Sequence, residues 1–390
     1  RKRLVELVSL VRDAGASAIM LDMPLDENDP TSQAELLKLW GSLDHVPSAY
    51  GLQMGLSEMP DYDQRLASLL ASTPSVVSFV PGKSSIGTLR QPDPKIIIAS
   101  QGSDARHYTR NFKEWRNSLS QLATMAKGNG ASLPDRVPGS SVRGIPMIVS
   151  LGGNLYPSNV LETLRVYRDG SGYRALVAEP DNGFALGMQP GIDRISIDGT
   201  ELIALTRPDG CLKLYFGGPE TRVQVAAADL LNGAAGLPSL TDKIVVIGVS
   251  ANGSDRFFDT PSGERLPSGA IAANAIDQIL QGSFLTTPGW APLGSQLFIF
   301  VGGVLIILVV GRYRFRWSFL FTLMLVGGAA YGSWWAFDTH RWLIDATLPS
   351  ATFIIASFTC ALMRRLHTEE RTRFIDGQFA RRLSSSGLAK

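Results

Sequence analysis

The chain has 390 residues, a formal net charge of +2, two cysteines and four histidines. So few cysteines exclude a disulfide framework or a cysteine metal site, and scattered histidines argue against a histidine metal cluster. The small net charge is segregated: arginines crowd the C-terminal part, while residues 1–291 are mildly acidic, which argues against nucleic acid as their partner.

Residues 3–14 carry Leu4, Val5, Leu7, Val8, Leu10 and Val11 at helical spacing, which predicts an amphipathic helix ended by Gly15. Residues 18–23, AIMLDM, form a short apolar run suited to a strand buried on both faces. Asp22 lies at its C-terminal end, and in open α/β sheets the crevice beyond the strand C-termini is where ligands bind. Asp22 and Asp26 are therefore candidate ligand carboxylates. The plainer alternative makes Asp22 a loop cap and residues 26–29 solvated acidic surface. A helix capped by Thr31 or Ser32 is expected to run to residue 43, a strand over 49–54, and a helix over 61–71 with Asp61 as its cap. Strands follow over 76–80 and 95–99. The alternation of helix and strand predicts a parallel sheet with helices on both faces.

Residues 101–143 are the least legible. A helix is expected over 112–125 and a polar loop over 128–141. Gly128-Asn-Gly130 is no dinucleotide fingerprint, since the third glycine and the preceding strand are both missing. A strand over 147–151 and a helix over 157–167, capped by Ser158 or Asn159, come next. Strand-like runs at 194–197, 201–205 and 212–216 are then separated by Asp198-Gly199 and Asp209-Gly210, strong hairpin turns that predict an antiparallel insert. A helix over 224–232 leads to residues 243–248, KIVVIG, which read as a buried strand. A loop over 249–268 carries Asp255, Asp259 and Glu264. These can bind a cation through carboxylate oxygens or, more plainly, serve as turn and cap residues. A helix over 269–280 ends this part.

Three apolar segments follow, 292–311, 317–337 and 343–363, the third uncharged from Ala346 onward, each about long enough to cross ~30 Å of hydrocarbon as a helix. Arg312, Arg314 and Arg316 separate the first two, and six arginines with one lysine follow the third, whereas residues 266–311 contain no lysine or arginine. Cations favour the cytoplasmic side, which places residues 1–290 outside and the tail 364–390 inside. Trp290, Trp334, Trp335 and Trp342 fall at the outer boundary, Tyr313 and Trp317 at the inner one. A domain that is exported needs a signal; the chain starts at Arg1-Lys2-Arg3, so an anchor or span is expected before it.

Several stretches together resemble the type-two CHASE domain, an extracytoplasmic sensory module. They are Ala14-Gly-Ala16 with Ile19-Met-Leu-Asp22, Val142-Arg-Gly-Ile-Pro146 with Leu161-Glu-Thr-Leu-Arg165, and above all residues 242–290. The last holds a strand ending in Ile-Gly, an Asp-x-x-x-Asp-Thr-Pro loop from Asp255 to Pro261, a Pro-Ser-Gly turn and a helix with Asn274-Ala-Ile-Asp277. Three spans after the domain are also that family's arrangement. The resemblance implies a sensory pocket, with Asp22, Asp26, Asp255, Asp259, Thr260 and Asn274 as candidate ligand-binding residues and the ligand unknown. It also implies a missing N-terminal span and first strand. A polar loop at 133–141 replaces the family's short Asp/Gly turn.

No catalytic constellation is legible: no P-loop, no HExxH and no GxSxG. Residues 364–376 are expected to continue the third span as a charged signalling helix. Phe379-Ala-Arg-Arg-Leu-Ser384-Ser385 resembles the lead-in of class III adenylate and guanylate cyclases, with Arg382 and Ser385 departing from the pattern. The expected function is thus a membrane-bound sensor governing a cytoplasmic effector, foremost a class III cyclase making cyclic AMP. A histidine kinase, a serine/threonine kinase or a diguanylate cyclase is the alternative. An extracytoplasmic enzyme using paired carboxylates and an assembly protein without ligand are further readings. No cofactor is expected in this chain; Mg and ATP belong to a cyclase domain beyond it. The expected partners are a lipid bilayer, an outer ligand and a second copy, because such effectors work as dimers. The expected location is the bacterial inner membrane.

Overall fold

The computed structural model describes residues 1–23, 25–32, 35–36, 60–82, 92, 95–134, 141–178, 190–216, 223–236, 238–250, 256–313 and 315–386. Most of the helix expected to end at residue 43, the strand expected over 49–54, and Asp255 lie outside these. The chain divides into two compact units, one of residues 1–180 and 189–284, the other of residues 285–390 with 181–188.

The first unit is built on a mainly parallel sheet. Strand β1 (Ala18–Asp22) pairs in parallel with β14 (Ile244–Gly248) on one side and with β2 (Ser75–Pro81) on the other, and β2 pairs in parallel with β6 (Gly128–Ala131). The short β5 (Trp115–Arg116) joins β2 antiparallel. All five side chains of β1 are buried. Because successive side chains alternate faces, Ile19 and Leu21 meet one helical layer while Met20 and Asp22 face the other.

The first layer is α1 (Lys2–Asp13) and α2 (Tyr62–Ala71), which pack Leu7, Val8, Val11, Leu66 and Leu70 against Ile19, Leu21 and Val77. Helix α1 stops where Gly15 takes a φ of +83°, a left-handed conformation natural to glycine. Helix α2 starts where the Asp61 carboxylate accepts from the N–H groups of Asp63 and Gln64, as the sequence predicts. Helix α3 (Ser120–Met125) adds Leu122 to this core. Each such fully buried leucine contributes roughly 1.5–3 kcal/mol relative to exposure.

The opposite face carries α4 (Asn159–Arg168) and α6 (Ser268–Leu280), whose Val160, Leu161, Leu164, Ile271, Ala275 and Ile276 cover Met20 and Val76. The same core continues into a second sheet. There β10 (Gly172–Ala178), β11 (Gly191–Asp198) and β12 (Ile203–Leu205) run antiparallel, with β3 (Ile98–Gln101) added parallel to β10. The predicted turns at Asp198-Gly199 and Asp209-Gly210 form, with φ of +83° and +74° at the glycines. Smaller sheets join β4 (Asn111–Phe112), β8 (Ile148–Leu151) and β9 (Asn154–Pro157), and pair β7 (Gly144–Pro146) with β13 (Cys211–Lys213). A short α5 (Ala227–Leu231) precedes β14. The α/β class, with a mainly parallel sheet, flanking helices and an antiparallel insert, is as the sequence predicts.

Four expectations are corrected. Residues 112–125 are not one helix: β4 and β5 take the first part and only Ser120–Met125 is helical. Residues 128–131 are not loop but the fully buried strand β6. Its glycines are there for packing. A Cβ at Gly128 would sit 2.5 Å from Glu162 Oε1, and one at Gly130 would sit 2.3 Å from Asn159 Cα, so α4 lies against bare backbone. Among the described residues β14 is an edge strand with only Ile247 buried, because no described strand covers its far side. Its apolar run meets helices instead. Finally, the expected loop over 249–268 contains a hairpin, β15 (Phe257–Asp259) with β16 (Arg265–Pro267).

The second unit has three helices, α7 (Ala291–Arg312), α8 (Phe315–His340) and α9 (Thr347–Ser386). All three contain stretches long and apolar enough to cross a membrane. They share a small core of Ile306, Val310 and Phe353, and Gly302 leaves room for the Phe353 ring, which a Cβ would meet at 2.5 Å. Most other large side chains point outward: Phe300 is 70% exposed, Phe358 71% and Met324 68%. Helices apolar all round require an apolar surrounding, which a bilayer supplies. The sequence-predicted continuation past Arg365 also holds, since α9 runs unbroken to Ser386. At the end of the first helix, the Arg364 guanidinium of α9 donates to the carbonyls of Val310, at 2.6 Å, and Tyr313. A cation on those otherwise unsatisfied groups suits a helix C-terminus.

Candidate functional site

The parallel sheet has a switch point. From β1 the chain moves to β2 and β6 on one side, and β14 returns on the other. The register partners Asp22 and Gly248 end two neighbouring strands there, the place where ligand crevices form in open α/β sheets. The N-termini of α4 and α6 supply Asn159 and Ser268 to this place.

Asp22 fills it. It is 0% exposed, and four donors converge on its carboxylate. Ser132 Oγ donates to Oδ1 at 2.5 Å, Asn159 Nδ2 to Oδ1 at 3.2 Å, Arg256 Nη2 to Oδ1 at 2.6 Å and Ser268 Oγ to Oδ2 at 2.6 Å. A second ring of bonds braces the first. Arg256 Nη2 also donates to Ser132 Oγ and Nε to Ser268 Oγ, while Asn159 Nδ2 reaches Ser78 Oγ on β2. The partners come from 110 to 246 residues away along the chain. One carboxylate thus ties β1, β2, the end of β6, α4, the start of the β15–β16 hairpin and α6 together. Two helix N-termini and a guanidinium make this a natural anion position, and the protein's own aspartate occupies it.

Among the described residues, none of the other sequence candidates is bonded to Asp22. Asp26 pairs with Arg116 at 3.1 Å. Asp259 lies on the hairpin with its side chain 75% exposed, 3.8 Å from Arg265. Thr260 is buried and closes the hairpin turn, donating to the Glu264 carbonyl and bonding Ser262. Asn274 donates to the Tyr215 carbonyl and so fastens α6 to the segment after β13. Asp255 is outside the described residues. Sequence reasoning missed Ser132, Asn159, Arg256 and Ser268 as partners of Asp22. Two of them carried a signal, since Arg256 sits inside the Asp-x-x-x-Asp-Thr-Pro loop and Ser268 is the serine of the Pro-Ser-Gly turn.

A second buried charge cluster lies one turn further along α4, on the face that meets β6. Glu162 is 1% exposed and accepts from Arg165 at 2.8 and 3.2 Å and from the Tyr173 hydroxyl. Arg165 also donates to the carbonyls of Gly170 and Lys127. Burial, then the nearby Glu162 charge, pushes the Tyr173 phenol well above its ordinary value. For Arg165, burial works against the charge but the Glu162 bond outweighs it and raises the pKa. Neither cysteine is in a disulfide; Cys211 is buried and Cys360 partly so. Among the described residues no group of three or more His, Cys, Asp or Glu side chains is placed to hold a metal ion.

A three-layer α/β unit closed by a buried aspartate, followed by three helices fit to cross a membrane, defines a membrane protein with a folded unit outside its spans. Comparison with protein families agrees: the CHASE2 domain model matches residues 1–311, and the chain belongs to that family of sensory domains. No curated protein and no solved structure matches the chain.

Proposed function

We propose that this chain is the sensing and membrane-spanning part of a receptor of the bacterial inner membrane, with residues 1–290 extracytoplasmic and α9 leading inward. The Asp22 tie carries the reading: one buried carboxylate at the sheet's switch point holds five other segments in register. A signal molecule bound at this place, with Asp22, Asp26, Asp255, Asp259, Thr260 and Asn274 as the candidate contacts, changes how tightly those segments are joined. The ligand must favour one arrangement over the other, since equal affinity for both shifts nothing. The asymmetry of arginines between the two sides of the spans supports the orientation.

The effector proposed is a class III nucleotide cyclase producing cyclic AMP, working as a homodimer. The supporting observations are the unbroken helix to Ser386 and the Phe379-Ala-Arg-Arg-Leu-Ser384 run it carries. The test is cyclic AMP and cyclic GMP output from membranes holding the full-length protein, with and without residues 1–284. Output that changes on removal of the unit is expected. No cyclic nucleotide in either case would sink the cyclase assignment and leave a kinase or diguanylate cyclase.

A further inference from the structure

The second unit is stitched at one end. Thr286, ahead of α7, pairs with the segment that joins α8 to α9: Leu343 N–H donates to the Thr286 carbonyl at 2.9 Å, and Thr286 N–H to Arg341 at 3.3 Å. Trp342 is central here. Its ring stands edge-on to Trp290 at 5.8 Å and stacks on His340 at 4.6 Å. Between this stitched segment and α8 lies a cleft of about 540 Å³, whose walls include Ala330, Ser333, Trp334, Phe337 and Trp342, with Asp345 at its edge.

This cleft has the make-up of a ligand site. Its volume falls in the range of about 300–1,000 Å³ usual for small-molecule pockets, and its walls are mainly apolar with few polar groups. Ser333 is engaged, donating to the Ile344 carbonyl at 2.6 Å. Asp345 is the charged group. Its Oδ1 accepts from the Thr347 hydroxyl at 2.6 Å and the Thr347 N–H at 2.8 Å. That hydroxyl bond, then the backbone bond, holds the carboxyl below its ordinary pKa, so it is an anion at neutral pH. An exposed carboxylate beside two indoles suits a cation, because the faces of aromatic rings also attract positive charge. The cleft is part of an apolar bundle and opens beside Trp334, 59% exposed, so what reaches it first is the lipid around the helices.

We propose that this cleft binds a membrane lipid with an ammonium headgroup, the ammonium at Asp345 and the indoles, and the acyl chain along α8. The proposal rests on the reading that the three helices span a bilayer, and is independent of which effector follows. The test uses the full chain in detergent with equimolar phosphatidylethanolamine and phosphatidylglycerol, and counts retained lipid by native mass spectrometry. The wild type is expected to retain the ethanolamine lipid about fivefold over the glycerol lipid, the ratio that an exposed carboxylate–ammonium pair provides. Asp345→Asn keeps a good helix-capping side chain and removes only the charge, so it is expected to fold and to bring the ratio near one. Ala330→Trp fills the cleft and is expected to lower retention of both. Equal retention in the wild type, an unchanged ratio in Asp345→Asn, or unchanged retention in Ala330→Trp overturns the proposal. If the bilayer reading itself failed, the chain would appear in the soluble fraction before any lipid was counted.

Discussion

Among its described residues the α/β unit contains three buried carboxylates with arginine partners, Asp22, Asp63 and Glu162, of which Glu162 and Asp22 are built in opposite ways. Glu162 finds Arg165 one turn along its own helix, and Tyr173 a few residues further on. That cluster forms whenever α4 and the start of β10 form. Asp22 finds Arg256 across 234 residues of chain and gathers serines and an asparagine from three other places. It exists only when the whole unit is assembled. The first cluster secures an element; the second reports whether elements are in place. A device that senses is better built from the second kind, because anything that shifts one partner is felt by all.

The largest expected effect is at the long-range tie. Asp22→Ala leaves the Arg256 guanidinium, only 12% exposed, without its carboxylate. Removing one partner of a buried ion pair of this kind costs about 3–5 kcal/mol, which denaturant unfolding of the α/β unit in the intact chain will read. A loss below ~1 kcal/mol would mean the tie holds little. Gly130→Ala attacks the same tie indirectly, pushing α4 and Asn159 away from β6, and is expected to cost about 1–3 kcal/mol as overpacking does. If the Asp22 network is one unit, Gly130→Ala will cost much less in the Asp22→Ala background than alone.

The local cluster should respond less. Tyr173→Phe leaves Glu162 paired with Arg165 and is expected to cost about 1.5 kcal/mol, the worth of a hydrogen bond to a charged group. The pH dependence sharpens the point. Tyr173 has a folded pKa raised well above 10. Its contribution is therefore complete below the unfolded phenol's pKa of about 10 and is lost as pH climbs toward the folded value. An ultraviolet tyrosinate titration should show Tyr173 ionising only as the unit unfolds, so that Tyr173→Phe lowers the amplitude of that step by one tyrosine. Smallest of all is Asp259→Ala. Its pair with Arg265 spans 3.8 Å with both side chains at least 70% exposed, so thermal unfolding should shift by less than about 0.5 kcal/mol.

The parts of this fold that were legible in the sequence are those specified locally. The stripe of α1, the caps Asp61 and Ser158, the Asp-Gly turns and the three apolar spans each need only near neighbours along the chain. What was illegible depended on distant contacts. Gly128-Asn-Gly130 reads as loop by composition, yet its bare backbone is what lets α4 approach, and nothing nearby in sequence says so. The KIVVIG run reads as central, but an edge strand packed by helices has the same apolar pattern. The candidate site was half legible for the same reason. Asp22 is marked by its place at a strand end. Arg256 was hidden as the neighbour of an aspartate that drew the attention, because a partner 234 residues off leaves no local trace.

Helix α9 runs 40 residues without a break. At 1.5 Å per residue that is about 60 Å, twice the hydrocarbon thickness of a bilayer. A rod of that kind carries angle as well as force. Each residue turns the helix by about 100°, so one residue inserted after Arg365 would rotate everything beyond it by more than a quarter turn while lengthening it by only about 1.5 Å. Seven inserted residues would bring it nearly back into phase, about 10 Å further on. Whatever is attached at the far end of α9 is thus set in azimuth by the count of residues behind it, and insertions of one to seven residues will separate a piston from a crankshaft.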